Sequence, residues 1–594
     1  MESLHGTEIA LDKSYADLCG VPLEINGKET DSGNPDRYKQ HGFHFNADNC
    51  IACHACESAC SEKNDLPPHL AYRSVGTIEG GCYPDVTRIN ISMACNHCED
   101  PVCLKGCPTR AYTKYLEYGA VLQDPDICFG CGYCTWVCPY NAPQLDPVKG
   151  QVQKCNMCVD RLEVGLQPAC VSACLGSALE FGVIEDLPKG QEEAKLGLPS
   201  FPDPKISRPN IRFQQKRDLP ESFGRMDAGA MTYEKEKTRD EYFKITEKAT
   251  KRKEGWGFDK LRSREDPLVL FTLVSQFTVG AFLLLFLLPK ITGLAKVLAP
   301  QAHPRVFTGL LVGLVVVQAF ALLSSTLHLG KPQYFYRAFN NLRHSWVSRE
   351  IVAMGAFFNL LGAYTLVALF PGWVGWLPEA LSLNLPDLLG WGASLTGPIG
   401  IYCMYRCYRI PARPFWDHWH SGGVFFASGL ILGSCVLGLT FGRAVLFKEG
   451  SIGPLLNLLA LPFSAGLILQ GLSLYVHRMD LNRRGEEAAV SRMLMSGTHG
   501  KVHCLRIAVW GILMAASLAF TFIPLHGEIA LVAWTLVLIL ALFNELIGRA
   551  LFYVLVVPTT IPRAFFWGNE RFKTGALRSG LAVLPQVGVV EEGH

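Results

Sequence analysis

Sixteen of the 22 cysteines fall into four groups of four between Cys50 and Cys174. The first two groups are Cys50, Cys53, Cys56, Cys60 and Cys95, Cys98, Cys103, Cys107. The others are Cys128, Cys131, Cys134, Cys138 and Cys155, Cys158, Cys170, Cys174. Thiolates three positions apart let one loop wrap three corners of an iron–sulfur cubane. In the ferredoxin run a fourth cysteine, followed by proline, reaches a neighbouring cluster. Pro108 and Pro139 follow the second and third groups. Ser61 takes that place in the first, and the fourth has an insertion between Cys158 and Cys170. Sixteen thiolates suffice for four [4Fe–4S] clusters, and four clusters that need no open coordination site form an electron wire.

Zinc and disulfides are the other uses of clustered cysteine. Zinc sites typically pair two separated Cys-x2-Cys motifs, whereas here three or four cysteines share one short loop, four times over. Disulfide frameworks belong to exported chains. The polar start Met1-Glu2-Ser3-Leu4-His5 has neither a basic-then-apolar leader nor a twin arginine. Cys19, Cys82, Cys403, Cys407, Cys435 and Cys504 stand outside the groups and read as small buried hydrophobes.

The elements that position these residues divide at about residue 265. At 594 residues the chain exceeds one domain, and its net charge of +2 gives no sign of nucleic-acid binding. The expected order is an extension (1–40), an α+β double-ferredoxin domain (41–215), a charged linker (216–265), an all-α membrane bundle (266–557) and a cytoplasmic tail (558–594). Tyr118–Leu122 and Ser177–Gly182 read as short strands of the ferredoxin body. The Pro-rich stretch 183–222 reads as a loose extension or one ordered by docking. Tyr233–Lys253 is charged, with helical propensity.

A spanning helix takes roughly 20 apolar residues. Eight candidates follow, at about 267–289, 306–327, 351–370, 388–405, 422–441, 454–476, 507–525 and 529–557. The fourth is the shortest, interrupted by Gly390, Gly392, Gly397, Pro398 and Gly400. Eight spans put both ends on one side. The loops and tail on that side hold 17 Lys and Arg against 5 opposite, which predicts a cytoplasmic cluster domain in the inner membrane. Loops that dock a protein would also be basic. Polar groups near the boundary are functional candidates. His328 closes the second span and Glu350 opens the third. They suit a quinone head group, one as donor to a carbonyl oxygen and the other as proton-exchanging carboxylate. The plainer use of Glu350 is an ion pair with Arg337 or Arg349. Glu545 and Arg549, one turn apart, read as a structural pair.

Cys95-Asn96-His97-Cys98 through Cys107-Pro108-Thr109, and Cys128-Phe129-Gly130-Cys131-Gly132-Tyr133-Cys134 through Cys138-Pro139-Tyr140, resemble the four-cluster subunit of the dimethyl sulfoxide reductase family of molybdenum enzymes. The membrane half resembles the eight-helix anchor subunit of the same complexes. That likeness rests on Leu327-His328-Leu329-Gly330, Arg337–Leu342, Ser348-Arg349-Glu350-Ile351 and Glu545–Arg549. The chain is thus similar to a fusion of two subunits usually separate. The resemblance implies crossed ligation. Cys50, Cys53, Cys56 and Cys174 would hold one cluster, and Cys60, Cys155, Cys158 and Cys170 a second. Cys95, Cys98, Cys103 and Cys138 would hold a third, and Cys107, Cys128, Cys131 and Cys134 a fourth. Some relatives replace one cysteine of the second group; all four are present here. It also implies quinone chemistry at His328 and Glu350, and a separate catalytic subunit carrying molybdopterin, since no segment here offers such a site.

Two directions of electron flow compete. In a dimethyl sulfoxide reductase arrangement an exported cluster domain takes electrons from quinol. A fused chain would have to export a folded cluster domain while inserting its own tail. The other arrangement resembles the cytoplasmic sulfite dehydrogenase, which feeds electrons to quinone, and this is the expectation preferred. A third reading is a stand-alone membrane redox module served by a soluble donor.

Overall fold

A computed structural model describes residues 35–67, 70–82, 85–186, 194–198, 201–216, 261–291, 293–376, 378–484, 488–522 and 527–556, with short strands at 24–25, 28–29, 231–235 and 243–247. The cluster half is built from short elements between cysteine loops. Strand β1 (His41–Phe45) is central in a three-stranded sheet. It pairs antiparallel with β2 (Leu179–Val183) and parallel with β3 (Ile211–Phe213). Phe43, Phe45, Phe181 and Phe213 pack edge to face beneath it, so the two ends of the ferredoxin body are closed by one aromatic core. The Pro-rich stretch is thus ordered by docking where it is described. The strand expected at Tyr118–Leu122 begins later, at Val121–Gln123, because Tyr118 and Gly119 take positive φ in a turn. In Tyr233–Lys253 the described residues are paired antiparallel strands, Met231–Lys235 with Phe243–Glu247. The helical expectation fails there, where Thr232, Tyr233, Phe243 and Ile245 favour strand. The rest of that stretch, most of 1–40 and the tail 558–594 lie outside the described residues.

Four short helices carry five of the sixteen cysteines, and loops carry the others. Helix α1 (Ala55–Lys63) holds Cys56 and Cys60, α2 (Val102–Gly106) holds Cys103, α3 (Tyr133–Val137) holds Cys134, and α4 (Ala169–Ser172) holds Cys170. Helix α1 packs on α4, and α2 on α3. The body is therefore two helix pairs, each serving two cysteine groups.

The membrane half contains α5 (Asp266–Ile291), α6 (Pro304–Thr326), α7 (Trp346–Leu369), α8 (Glu379–Cys407), α9 (His420–Glu449), α10 (Gly453–Arg483), α11 (Gly500–Phe522) and α12 (Gly527–Val554). Seven of these, all but α8, are long and apolar enough to cross a membrane, and the protein is a multi-pass membrane protein. Helix α8 has 29 residues but includes Glu379, Asn384, Asp387, Pro386 and Pro398. Its glycines are used in packing. A side chain at Gly390 would strike Phe286, at Gly397 Val279, and at Gly400 Met354, so small residues let α8 lie close on α5 and α7. Helices α5 and α9 cross equally closely at Gly280 and Gly429.

Candidate functional site

The cysteines gather in sets that take three members from one group and the fourth from another. Cys50, Cys53, Cys56 and Cys174 line one pocket of about 350 Å³. Cys95, Cys98, Cys103 and Cys138 line another of about 360 Å³. Cys60 lies beside Cys155, Cys158 and Cys170. Cys107 lies beside Cys128, Cys131 and Cys134. None of the sixteen is in a disulfide. The loops reach these positions through left-handed backbone at His54, His97, Gly130, Gly132 and Cys158, which turns the chain tightly enough to aim successive Sγ atoms inward.

Burial is the largest influence on several of these thiols. It pushes Cys60 up to about 12 and Cys138 up to about 11, and raises Cys103 and Cys134 as well. Such thiols hold their protons until a metal displaces them. Several already have hydrogen-bonding neighbours. The Ala111 N–H donates to Cys107 Sγ at 3.4 Å, the Met157 N–H to Cys155 Sγ at 3.4 Å, and Asn64 Nδ2 to Cys60 Sγ at 3.7 Å. Two buried cations were missed by sequence reasoning. Arg73 donates to Ser92 Oγ at 3.0 Å beside Cys56. Lys154 donates to the Val121 and Cys155 carbonyls. Each offsets thiolate charge in a dry site. Only the position of Lys154 just before Cys155 hinted at it.

The set around Cys107, Cys128, Cys131 and Cys134 faces the membrane half. The Gly330 N–H donates to Gly130 O at 3.2 Å and the Lys331 N–H to Phe129 O at 3.0 Å. Asn341 donates to Cys107 O at 2.8 Å, Ser345 to Gly106 O at 2.9 Å, and Arg413 to Thr135 O at 2.9 Å. Trp136 stacks on Tyr408 and lies edge-on to Trp416. Gly130, Gly150 and Gly330 meet backbone to backbone, where a Cβ on any of the three would clash.

His328 and Glu350 each connect to this loop through one residue. Arg264, beside Cys131, donates to His328 O at 3.2 Å. Tyr133 donates to Cys407 O at 2.9 Å, and Cys407 Sγ donates to Glu350 Oε2 at 3.3 Å. The side chains of His328 and Glu350 do not bond to one another among the described residues. His328 Nδ1 lies 2.5 Å from Ser325 O. A carbonyl only accepts, so the proton sits on Nδ1 and Nε2 is left as an acceptor. Burial and the charge of Arg264 lower His328 to about 4, so the ring is neutral.

The ion pairs considered for Glu350 do not form. Arg337 donates to Asp126 O, and Arg349 to Leu342 O and Arg343 O. Glu545 and Arg549 do not hydrogen-bond to each other either. Glu545 accepts from Ser428 and Gln470, each at 2.6 Å, and Arg549 donates to Gln276 Oε1 at 2.6 Å. Polar partners on three neighbouring helices win over the residue one turn away. Of the remaining cysteines, Cys403, Cys407 and Cys435 are buried as expected. Cys504 is exposed, against expectation, and the side chains of Cys19 and Cys82 lie outside the described residues.

Fold and site together define an iron–sulfur electron-transfer protein anchored by its own helical membrane domain. Residues 86–184 match the family described as 4Fe-4S dicluster domain, and residues 262–555 match the DMSO reductase anchor subunit (DmsC) family. One chain of the anaerobic dimethyl sulfoxide reductase of Escherichia coli (strain K12) is 39% identical over 180 residues, which cover 29% of the present sequence and 87% of that protein. One subunit of the sulfite dehydrogenase of Allochromatium vinosum is 36% identical over 158 residues, covering 23% of the present sequence and 66% of that protein. The iron-sulfur subunit of the nitrate-inducible formate dehydrogenase of Escherichia coli (strain K12) is 37% identical over 157 residues, covering 23% and 52%. The protein belongs to the same family as the matched dimethyl sulfoxide reductase polypeptide, with the anchor domain joined to it in one sequence.

Proposed function

We propose that this chain carries electrons between a molybdopterin-bearing catalytic subunit and membrane quinone, as the quinone-reactive subunit of an oxidoreductase complex. Four [4Fe–4S] clusters would be held by the four crossed cysteine sets, one set per cluster. When bound, they supply one-electron carriers. The chain's own residues shield most of the thiols from water, Cys53 excepted, and balance their charge through Arg73 and Lys154. Glu350 exchanges protons with the quinone head group, and neutral His328 positions it. One observation carries the reading: the Cys107, Cys128, Cys131 and Cys134 set docks on the turn that holds His328 and on the loop that leads into α7, where Glu350 sits. Helix α8 serves as an eighth span, which puts both ends of the membrane half on the cluster side.

The preferred substrate is sulfite, oxidised by the partner on the cytoplasmic side of the inner membrane with electrons passing to quinone. The basic loops support this side. Part of their charge serves docking, however, since Lys331 holds Gln151 and Arg413 holds the Thr135 carbonyl. A second reading runs the other way, from quinol to a sulfoxide. It is favoured by the His328 tautomer, whose Nε2 accepts a quinol O–H, and by the likeness to the dimethyl sulfoxide reductase polypeptide. Protease access to a tag on the N-terminus in intact spheroplasts separates the two. Protection supports the sulfite reading, and cleavage transfers the proposal to quinol oxidation.

A further inference from the structure

Away from the cysteine sets, three histidines converge where α9 begins and α10 ends. His418 lies in the turn before α9, His420 is the first residue of α9, and His477 lies near the end of α10. One ring nitrogen or the other from each falls within 4.8 Å of the other two. The side chains are 8%, 5% and 4% exposed. The His420 and His477 rings stack at 3.8 Å. His420 Nδ1 and both nitrogens of His477 have no hydrogen-bond partner among the described residues. One turn further into the bundle Ser473 Oγ is likewise buried and unpartnered, and it faces Gly423.

A buried imidazole nitrogen without a partner is costly, and three imidazoles held together leave few ways to satisfy them. The stacked pair cannot bond in the ring plane to one another, and they share one ion only when a ring rotates out of the stack so that both in-plane lone pairs converge. The surrounding charge is compensated only in part, since Arg506 and Arg549 both act on His420 and share one carboxylate, Glu545. Arg484 is held by Asp480 at 2.8 Å and by Asp417 at 3.8 Å, and Arg409 bonds Asp417 at 2.7 Å. Arg506 lies beside Glu545. An array of neutral nitrogen donors suits a borderline first-row ion such as zinc and poorly suits calcium or magnesium.

We propose that His418, His420 and His477 form a binding site for a divalent first-row transition ion, zinc being the first candidate, separate from the iron–sulfur sets. His418 joins through Nδ1, which now accepts the His420 N–H at 2.9 Å. That N–H belongs to the first turn of α9, where no intrahelical partner exists, so water replaces the ring as its acceptor. A water or anion takes the fourth position. The ion ties the start of α9 to the end of α10 on the cluster-facing side of the bundle. This assignment is independent of the quinone reading.

The full-length protein, purified without oxygen, would be dialysed against zinc and then against buffer, and its metals counted by mass spectrometry. The expected result is one zinc per molecule, lost in both His477→Ala and His420→Gln with iron content unchanged. X-ray absorption at the zinc edge should show imidazole nitrogens and no sulfur. Sulfur neighbours would mean zinc in a cysteine set and would overturn the proposal. So would zinc retained in both variants, or no zinc bound by the wild-type protein, in which case water alone fills the site. If one variant loses iron as well, the absorption spectrum of the wild-type protein decides.

Discussion

At the residue scale the chemistry divides between thiols and a few oxygen and nitrogen groups. Cys131 sits in the set that touches the membrane half, beside Cys107, Cys128 and Arg264. Cys131→Ser should remove roughly a quarter of the cluster iron, or convert one cluster, and stop electron transfer to quinone. Iron analysis and spin-resonance spectra check this, and full turnover with unchanged spectra would contradict it. Glu350→Gln keeps the shape and the hydrogen-bond reach to Cys407 but removes the exchangeable carboxyl proton. Quinone-linked turnover should fall by about 100-fold or more, the usual scale of a lost acid–base group, with iron content unchanged. His328 offers a separate test. Its burial and Arg264 hold it near 4, so it stays neutral between about pH 5 and pH 8. His328→Gln should therefore slow turnover without changing the shape of the pH profile in that window. A profile that flattens in the variant would show that His328 titrates.

At the scale of elements, the junction is made by backbone rather than by long side chains. The turn after α6 presents Gly330 to Gly130 and Gly150, and two of the contacts there are backbone hydrogen bonds. Gly330→Ala forces the cluster loop away from the helices, at a cost of about 1–3 kcal/mol for an overpacked contact. Cluster assembly should survive while electron transfer to quinone slows, read as cluster reduction without quinone turnover. Equal loss of both would place the glycine's role in folding instead. The same small-residue logic explains α8. Its glycines lower its hydropathy, yet they are what allow it to pack on α5 and α7.

At the scale of the whole molecule, one apolar core runs from Tyr133 and Val137 of the cluster half into the helices around Phe415, Trp416 and Phe552. The halves are therefore docked, not merely tethered. A protease site introduced within 217–230 should be cut without releasing the cluster half from membranes, even at high salt, since apolar burial resists screening. Release on cutting would show that the linker alone joins them. Cysteine spacing and apolar runs of about membrane length were enough to reveal the iron–sulfur character and the membrane character, because both are local in sequence. Which thiols stand together was implied beforehand only by the family resemblance, not by spacing, and that Glu350 faces Cys407 rather than Arg349 was decided only in the folded chain. Those partners are brought from distant segments, and a carboxylate bonds to whatever the packing places beside it. The same holds for the Gly130, Gly150 and Gly330 contact and for the convergence of His418 and His420 with His477: spacing along a chain records what one loop or helix can hold, and it carries no record of which loops meet.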